Sequence, residues 1–332
     1  MKKSVVIAAL AFLVGGFVFF QYGKKKGGDG EKWPAGIDMV CVVPWKAGGS
    51  ADTMARQLLR YWEPELGTLV AIENRDGKAT LAGTEYFLRQ PDDGTRIYIG
   101  TQMYMSAGVV LQGADFSMDD FDVVNFQQFD PITIAVHVDS PYYTFQDLVD
   151  DIKKRPGVLK CGIIHGGAPH LGAVVLKEML GLEYEDVTFD SGNAYRTALL
   201  GHHVDFIVSN ANGDRAIHGK VRILALADDK RSGMWPDSPT FNEVLGIDDF
   251  PKLGSARFIA VRSGVRKKYP ERFDRLVETY KKAFENPDYV AFRKSVGESE
   301  VSAYRGPEES NRMNRELHAL LEQYKARIEA DK

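Results

Sequence analysis

From Gly36 onward, short apolar runs alternate with longer amphipathic ones. The run DMVCVV predicts a strand, Asp52 to Trp62 a helix, LVAIEN a strand, Leu81 to Arg89 a helix and TRIYIGT a strand. This βαβαβ order implies a mainly parallel sheet with helices on both faces. PDDG at 91–94 is a turn that closes the second helix.

A second block repeats the theme. TFQDLVDDIKKRPG reads as a helix with Thr144 as N-cap, LKCGII as a strand and Leu171 to Leu180 as a helix. YEDVTF is then a strand, Tyr195 to Leu200 a helix, and VDFIVSN and VRILALA two more strands. Two lobes follow, similar in pattern but not in residues. Between them DPITIAVHVDSPYYT is an extended stretch suited to crossing from one lobe to the other, and ARFIAVRSG, ending at Ser263 and Gly264, suits the return. Two charged amphipathic helices, Pro270 to Glu285 and Glu308 to Ala330, complete the pattern.

Ahead of the first strand, Lys2 and Lys3 precede an uncharged apolar run from Val5 to Phe20 and then a polar stretch, the layout of a signal peptide or an N-terminal membrane anchor over residues 1–30. Of the 332 residues, 44% are hydrophobic, enough for two compact lobes. The formal charge is −4, and with five lysines against Asp29 in residues 1–30 the remaining chain carries about −8. A body this acidic has no broad attraction for phosphate backbones, which disfavours nucleic-acid binding while leaving local anion binding open. Cys41 and Cys161 each lie in an apolar strand-like run, as buried thiols do, although export would permit a disulfide.

Two turns stand out. In PWKAGGSAD, Gly48 and Gly49 permit close backbone approach at the end of a strand, and Ser50 or Asp52 can cap the helix that follows. CGIIHGGAPHLGAVVL has the same layout around Gly166 and Gly167 in the second block. Each is a plain capped turn or a nest of N–H donors; it is neither a Walker loop nor a dinucleotide fingerprint. Two such turns facing each other would suit a carboxylate held by backbone amides rather than by a buried Lys or Arg. His165 and His170, with His202 and His203, match no strong zinc spacing, so no metal is expected; His170 reads as a donor to an anion or as a surface residue. DSGNAYR offers Ser191 and Asn193 as ligand donors or as helix caps, and Asn210 and Asn212 follow a strand as cleft or turn residues. No G-x-S-x-G, paired acids or Cys with a recognisable His partner stands out, so no enzymatic activity is expected.

Taken together, these segments resemble a known family. VVPWKAGGSADTMAR, VAIENRDG, QPDDGTRIYIGT, the Gly-rich opening of the second block and, most specifically, HGKVRILALADDKRSGMWPDSPTFNEVLG are similar to the substrate-binding proteins of tripartite tricarboxylate transporters, the Bug or TctC-like family. The resemblance runs from about Asp38 to the C-terminal helices. It implies a type II periplasmic-binding-protein fold, two α/β lobes with a ligand cleft between them: residues 36–135 plus 258–332 as lobe 1 with the C-terminal helices, and 136–257 as lobe 2. It also implies a monomer in the periplasm, free or tethered by an uncleaved N-terminal helix. Such a protein would deliver a small organic carboxylate to membrane transporter subunits without a cofactor. Carried over, the role of holding a carboxylate falls on Ala47, Gly48, Gly49, Ser50 and Asp52 on one side and on Gly166, Gly167, Ala168 and His170 on the other. Thr101, Gln102, Asp190, Ser191, Asn193 and Asn210 complete the expected ligand contacts. Two departures bear on the ligand's far end. Lys78 in DGKATLAG stands where a small residue is usual, and Asp190 stands where a Lys is frequent. The competing expectations are a membrane-tethered sensory or partner-binding domain of the same fold, and an anchored enzyme using Ser50, His170 or Asp190.

Overall fold

In a computed structural model that describes residues 33–189 and 191–330, the first block of alternating runs forms β1 (Met39–Val43), α1 (Ser50–Leu66), β2 (Val70–Asn74), α2 (Leu81–Leu88), β3 (Arg96–Thr101) and α3 (Gln102–Gln112). The signal or anchor segment and Asp190 lie outside the described residues; among those described, no helix is long and apolar enough to cross a membrane. The long strand β4 (Phe121–His137) leads to the second block: α4 (Phe145–Lys154), β5 (Lys160–Ile163), α5 (Ala168–Leu180), β6 (Glu185–Thr188), α6 (Gly192–Leu200), β7 (Phe206–Asn210), α7 (Ala211–Asp214) and β8 (Val221–Leu226). After α8 (Phe241–Leu245), β9 (Gly254–Arg262) returns, and α9 (Gly264–Lys268), α10 (Pro270–Glu285), α11 (Pro287–Ser295), α12 (Gly306–Gln323) and α13 (Lys325–Ala330) close the chain.

The strands join in one 9-stranded sheet with two halves of equivalent order. The first runs β2-β1-β3-β9-β4 and the second β6-β5-β7-β4-β8. In each half the three strands of the βαβαβ unit are parallel and a crossing strand pairs antiparallel beside them. β4 belongs to both halves. Its residues from Phe121 to Pro131 pair with β9, and those from Ile132 to His137 pair with β7 and β8. The switch falls at Pro131, which has no N–H to offer a ladder.

Period-two alternation buries both faces of each half. Cys41 and Val43 enter one core and Val42 another, while Phe206 and Val208 enter a third and Ile207 a fourth. The two cysteines are free, buried thiols in separate cores. Thr144 caps α4 as predicted, in a reciprocal box with Asp147. Several features depart from the sequence reading: the stretch expected as one helix from Glu308 to Ala330 divides into α12 and α13, and α11 stands before it. α1 starts at Ser50 and runs to Leu66, a turn beyond Trp62. The crossing stretch begins at Phe121, well before Asp130, and its end from Val138 onward is turn. α3 was not predicted at all. It has no polar N-cap bond, and its apolar residues Met103, Ala107 and Val110 pack with the second block's α5 rather than with the first block alone.

Candidate functional site

The two glycine turns share one backbone conformation. Gly48 and Gly166 are left-handed, with φ of 81° and 73°, a region that favours glycine. Gly49 and Gly167 follow in extended conformation as N-caps of α1 and α5, at φ/ψ of −72°/169° and −95°/179°. Each turn is closed by one backbone bond, Gly49 N–H to the Lys46 carbonyl and Gly167 N–H to that of Ile164. Neither helix has a side-chain cap bond, so the first-turn N–H groups beyond these glycines are the orphan donors from which an anion site is built.

The fifth residue of each turn braces it. Gly48 N–H donates to Asp52 Oδ2 at 2.8 Å, and Gly166 N–H donates to His170 Nδ1 at 3.2 Å. Asp52 is 1% exposed. It also accepts from Arg56 Nε and Nη2 and from Asn74 Nδ2. Arg56 chiefly holds the Asp52 carboxyl below its ordinary range. Asp52 and His170 thus enter the site as supports of the loops. His170 is buried rather than at the surface, and its Nδ1 accepts a bond rather than donating one.

Aromatic side chains link the two turns. Trp45 Nε1 donates to Thr101 Oγ1 at 2.9 Å, and the Trp45 ring meets Tyr104 edge-on at 5.2 Å. The Tyr104 hydroxyl lies so near the second turn that a Cβ on Gly167 would meet it at 3.4 Å. Ala47, Gly48 and Ser50 are exposed beside this bridge, whereas Gly167 and Ala168 are buried. Thr101 therefore joins the site through Trp45. Gln102 turns away from it, into the interior, where Nε2 donates to Ser106 Oγ and the Asn314 carbonyl.

Below the turns, the crossing strands carry charges that the sequence reading did not select. Arg257 of β9 faces Gln128 of β4 in register and donates to its Oε1 at 2.9 Å, while Nη2 donates to Ser50 Oγ at 2.9 Å. A guanidinium thus stands at a turn expected to use backbone amides alone. Burial pulls Arg257 below its ordinary pKa, and Asp130, Glu298 and Tyr104 oppose that shift. Asp130, the last β4 residue before Pro131, accepts from Asn212 N–H at 2.8 Å. Burial, reinforced by the Asp214 carboxylate, pushes Asp130 up to about 7. Asn210 bonds the Asp130 carbonyl and the Ser255 hydroxyl, so it ties β7 to both crossing strands. Ser191 caps α6 by accepting from Ala194 N–H, and Asn193 is exposed.

The His165 ring lies tilted against that of His170 and the His202 ring against that of His137, and among the described residues no three potential metal ligands converge. A groove of about 500 Å³ runs along α1 past Arg56, Arg60 and Tyr61 to Phe292. Ala47, Gly48 and Asp52 of the first turn line it as well, and none of its lining residues comes from the second turn.

A family model described as the tripartite tricarboxylate transporter family receptor matches residues 54–329. The chain belongs to this family of solute-binding receptors. A UPF0065 protein from the tcbD-tcbE intergenic region of Pseudomonas sp. strain P51 is 25% identical over 262 residues, 77% of this receptor and 76% of that protein. BugT of Bordetella pertussis is 25% identical, over 63% of this chain and 66% of its own. Among solved structures, a TctC solute-binding protein from Polaromonas superposes with a TM-score of 0.77 at 21% identity, covering 88% of this chain and 98% of that one. MatC from Rhodopseudomonas palustris with bound malate gives 0.64 at 20% identity, covering 89% and 98%. A second R. palustris protein with adipate gives 0.65 at 21%, covering 90% and 98%. The fold is accordingly the two-lobed α/β fold of periplasmic solute-binding proteins.

Proposed function

We propose that this receptor captures a small carboxylate-containing ligand between the Gly48–Gly49 and Gly166–Gly167 turns and delivers it, as a monomer in the periplasm, to the membrane subunits of a tripartite tricarboxylate-type transporter. The matched turns support the reading, since each ends at a helix N-terminus without a side-chain cap and Tyr104 reaches from the Trp45 ring beside the first turn to Gly167 of the second. Malate and adipate in two structures of the same fold support the ligand class. Ser50 and Ala168, the first residues of α1 and α5, supply N–H donors together with Ala47, the N–H groups of Gly48, Gly49, Gly166 and Gly167 hold the turns in shape, Thr101 positions Trp45, and Asp52 and His170 brace the turns. Asn210 fixes the crossing strands, about which the lobes close. No step of this cycle calls for bond chemistry, so the receptor works without catalysis. Residues 1–30 direct export, and either remain as a tether or are removed.

The test is the melting temperature of the purified protein, unfolded and refolded to strip carried-over ligand. It is measured against di- and tricarboxylates, aromatic acids, amino acids and uncharged controls. At one hundred times its dissociation constant a ligand stabilises by about 2.7 kcal/mol, a shift of several degrees. A carboxylate-selective response is expected, and a flat panel refutes carboxylate capture.

A further inference from the structure

Arg257 sits where a cation is electrostatically misplaced unless an anion joins it. Its guanidinium bonds the hydroxyl of Ser50, the first residue of the 17-residue helix α1, whose N-terminus is itself the positive end of the helix dipole. The acidic residue in that first turn, Asp52, does not compensate, because its carboxylate is taken by Arg56, Gly48 and Asn74. Arg257 belongs to none of the ion pairs among the described residues; its hydrogen-bond partners are the neutral Ser50 and Gln128. The acids that face it, Asp130 from β4 and Glu298 from the segment after α11, act on it without reaching ion-pair distance, and burial favours the protonated form of both. Arg257 is half-buried and keeps accessible surface, and Tyr104 interacts with it while also lying against Gly167. The guanidinium therefore stands at the first turn and beside the tyrosine that reaches the second.

We propose that Arg257 is the residue that reads ligand charge: its guanidinium binds the same carboxylate that the first turn receives, so that the receptor distinguishes a carboxylate from the corresponding carboxamide. This rests on the carboxylate-capture reading above and deepens it. A nest of backbone amides accepts either group through its oxygen. A fixed guanidinium adds an ion pair that only the anion makes, and its planar fork matches a carboxylate in a way a lysine ammonium does not. The position on β9 suits this role, because Arg257 is held by the crossing strand while it reaches the α1 turn.

The experiment is calorimetric titration of the wild-type protein, Arg257→Gln and Arg257→Lys with L-malate, succinate, glutarate and adipate. The monoamide of each is titrated alongside, at low and high sodium chloride. The wild type is expected to bind at least one dicarboxylate more tightly than its monoamide and to weaken with salt. Arg257→Gln should lose about 10- to 100-fold in affinity for the dicarboxylate and most of the preference over the monoamide. Arg257→Lys should recover part of both. Melting curves without ligand separate a folding defect from a binding defect. If Arg257→Gln melts lower but keeps its affinity and preference, Arg257 is only a strut between β9 and α1 and the assignment is overturned. If the wild type binds neither these acids nor any carboxylate of the wider melting panel, the carboxylate reading itself falls, and this assignment with it.

Discussion

Gly48 and Gly166 lie in different halves of the molecule, 118 positions apart in the sequence, and hold the same left-handed turn with an acceptor four residues on, Asp52 for one and His170 for the other. At both glycines a Cβ would meet nothing within 4 Å, so the requirement is conformational rather than spatial. Gly48→Ala and Gly166→Ala should therefore each cost about 1 kcal/mol of stability through the left-handed backbone alone. Ligand affinity should fall more steeply, because relaxation of either turn re-aims the N–H groups. Paired melting and titration experiments check this, and an alanine variant with unchanged affinity would remove that turn from the site.

Asp52 makes the first turn sensitive to acid. Its folded pKa is depressed, chiefly by Arg56, below the ordinary 3.8. The stability it contributes is present above that unfolded value and is lost as pH falls through the lower folded one. Asp52→Ala should cost about 2 kcal/mol near neutrality, since the Gly48 N–H and the Asn74 amide lose their acceptor. The variant should also show a shallower loss of stability below about pH 4 than the wild type. Urea unfolding at a series of pH values measures both effects.

Asp130 has the opposite sign. Burial raises it from 3.8 to about 7, Asp214 adds to the shift, and Arg257 and Arg196 oppose it. Between those two pH values the folded state holds the proton more tightly than the unfolded chain, so stability falls as pH rises from about 4 toward 7. Asp130→Asn keeps an acceptor for Asn212 N–H and removes the titration. It should be more stable than the wild type at pH 8, on the order of 2–4 kcal/mol if the full shift is expressed, and equal to it near pH 4. The same unfolding series decides this, and an identical pH slope in both proteins would assign the dependence elsewhere.

The two halves and their turns were legible because they rest on local signals. DMVCVV and LKCGII read as buried strands, each running into a Gly-Gly pair and a helix, and those features need no partner to be recognised. What escaped depends on pairing across the chain. Arg257 lies inside ARFIAVR, whose apolar neighbours mark a crossing strand. Only the register with Gln128 and the contact with Ser50 turn that arginine toward the first turn. An arginine set between Ala256 and Phe258 inside the crossing strand, unlike Arg262 at the strand's end, is the signal that could have singled it out. Gln102 is the converse case: it directly follows a strand of the first block, but as the first residue of α3 it turns its amide onto the Asn314 carbonyl of α12. Asp52 and His170 were picked as residue types at a helix start, and their roles as braces follow from bonds to glycines four residues earlier.

Gly83 tests whether the first turn is held by packing behind it as well as by its own bonds. A Cβ at this α2 position would lie 2.3 Å from the Arg75 carbonyl oxygen and 2.7 Å from both Cα and Cβ of Pro44. All three belong to main chain or to a ring fixed to it, so no rotamer change relieves the overlap. Gly83→Ala must push α2 away from Pro44, the residue that leads into Trp45 and the Gly48 turn. A cost above about 2 kcal/mol is expected, together with weaker ligand binding although Gly83 is remote from the recess. Gly113→Ala is the control: its φ of 68° is left-handed like that of Gly48, and a Cβ there meets nothing within 4 Å. It should show only the backbone strain, about 1 kcal/mol, with affinity intact. Equal stability losses in the two variants, or normal binding by Gly83→Ala, would mean that α2 does not position the first turn.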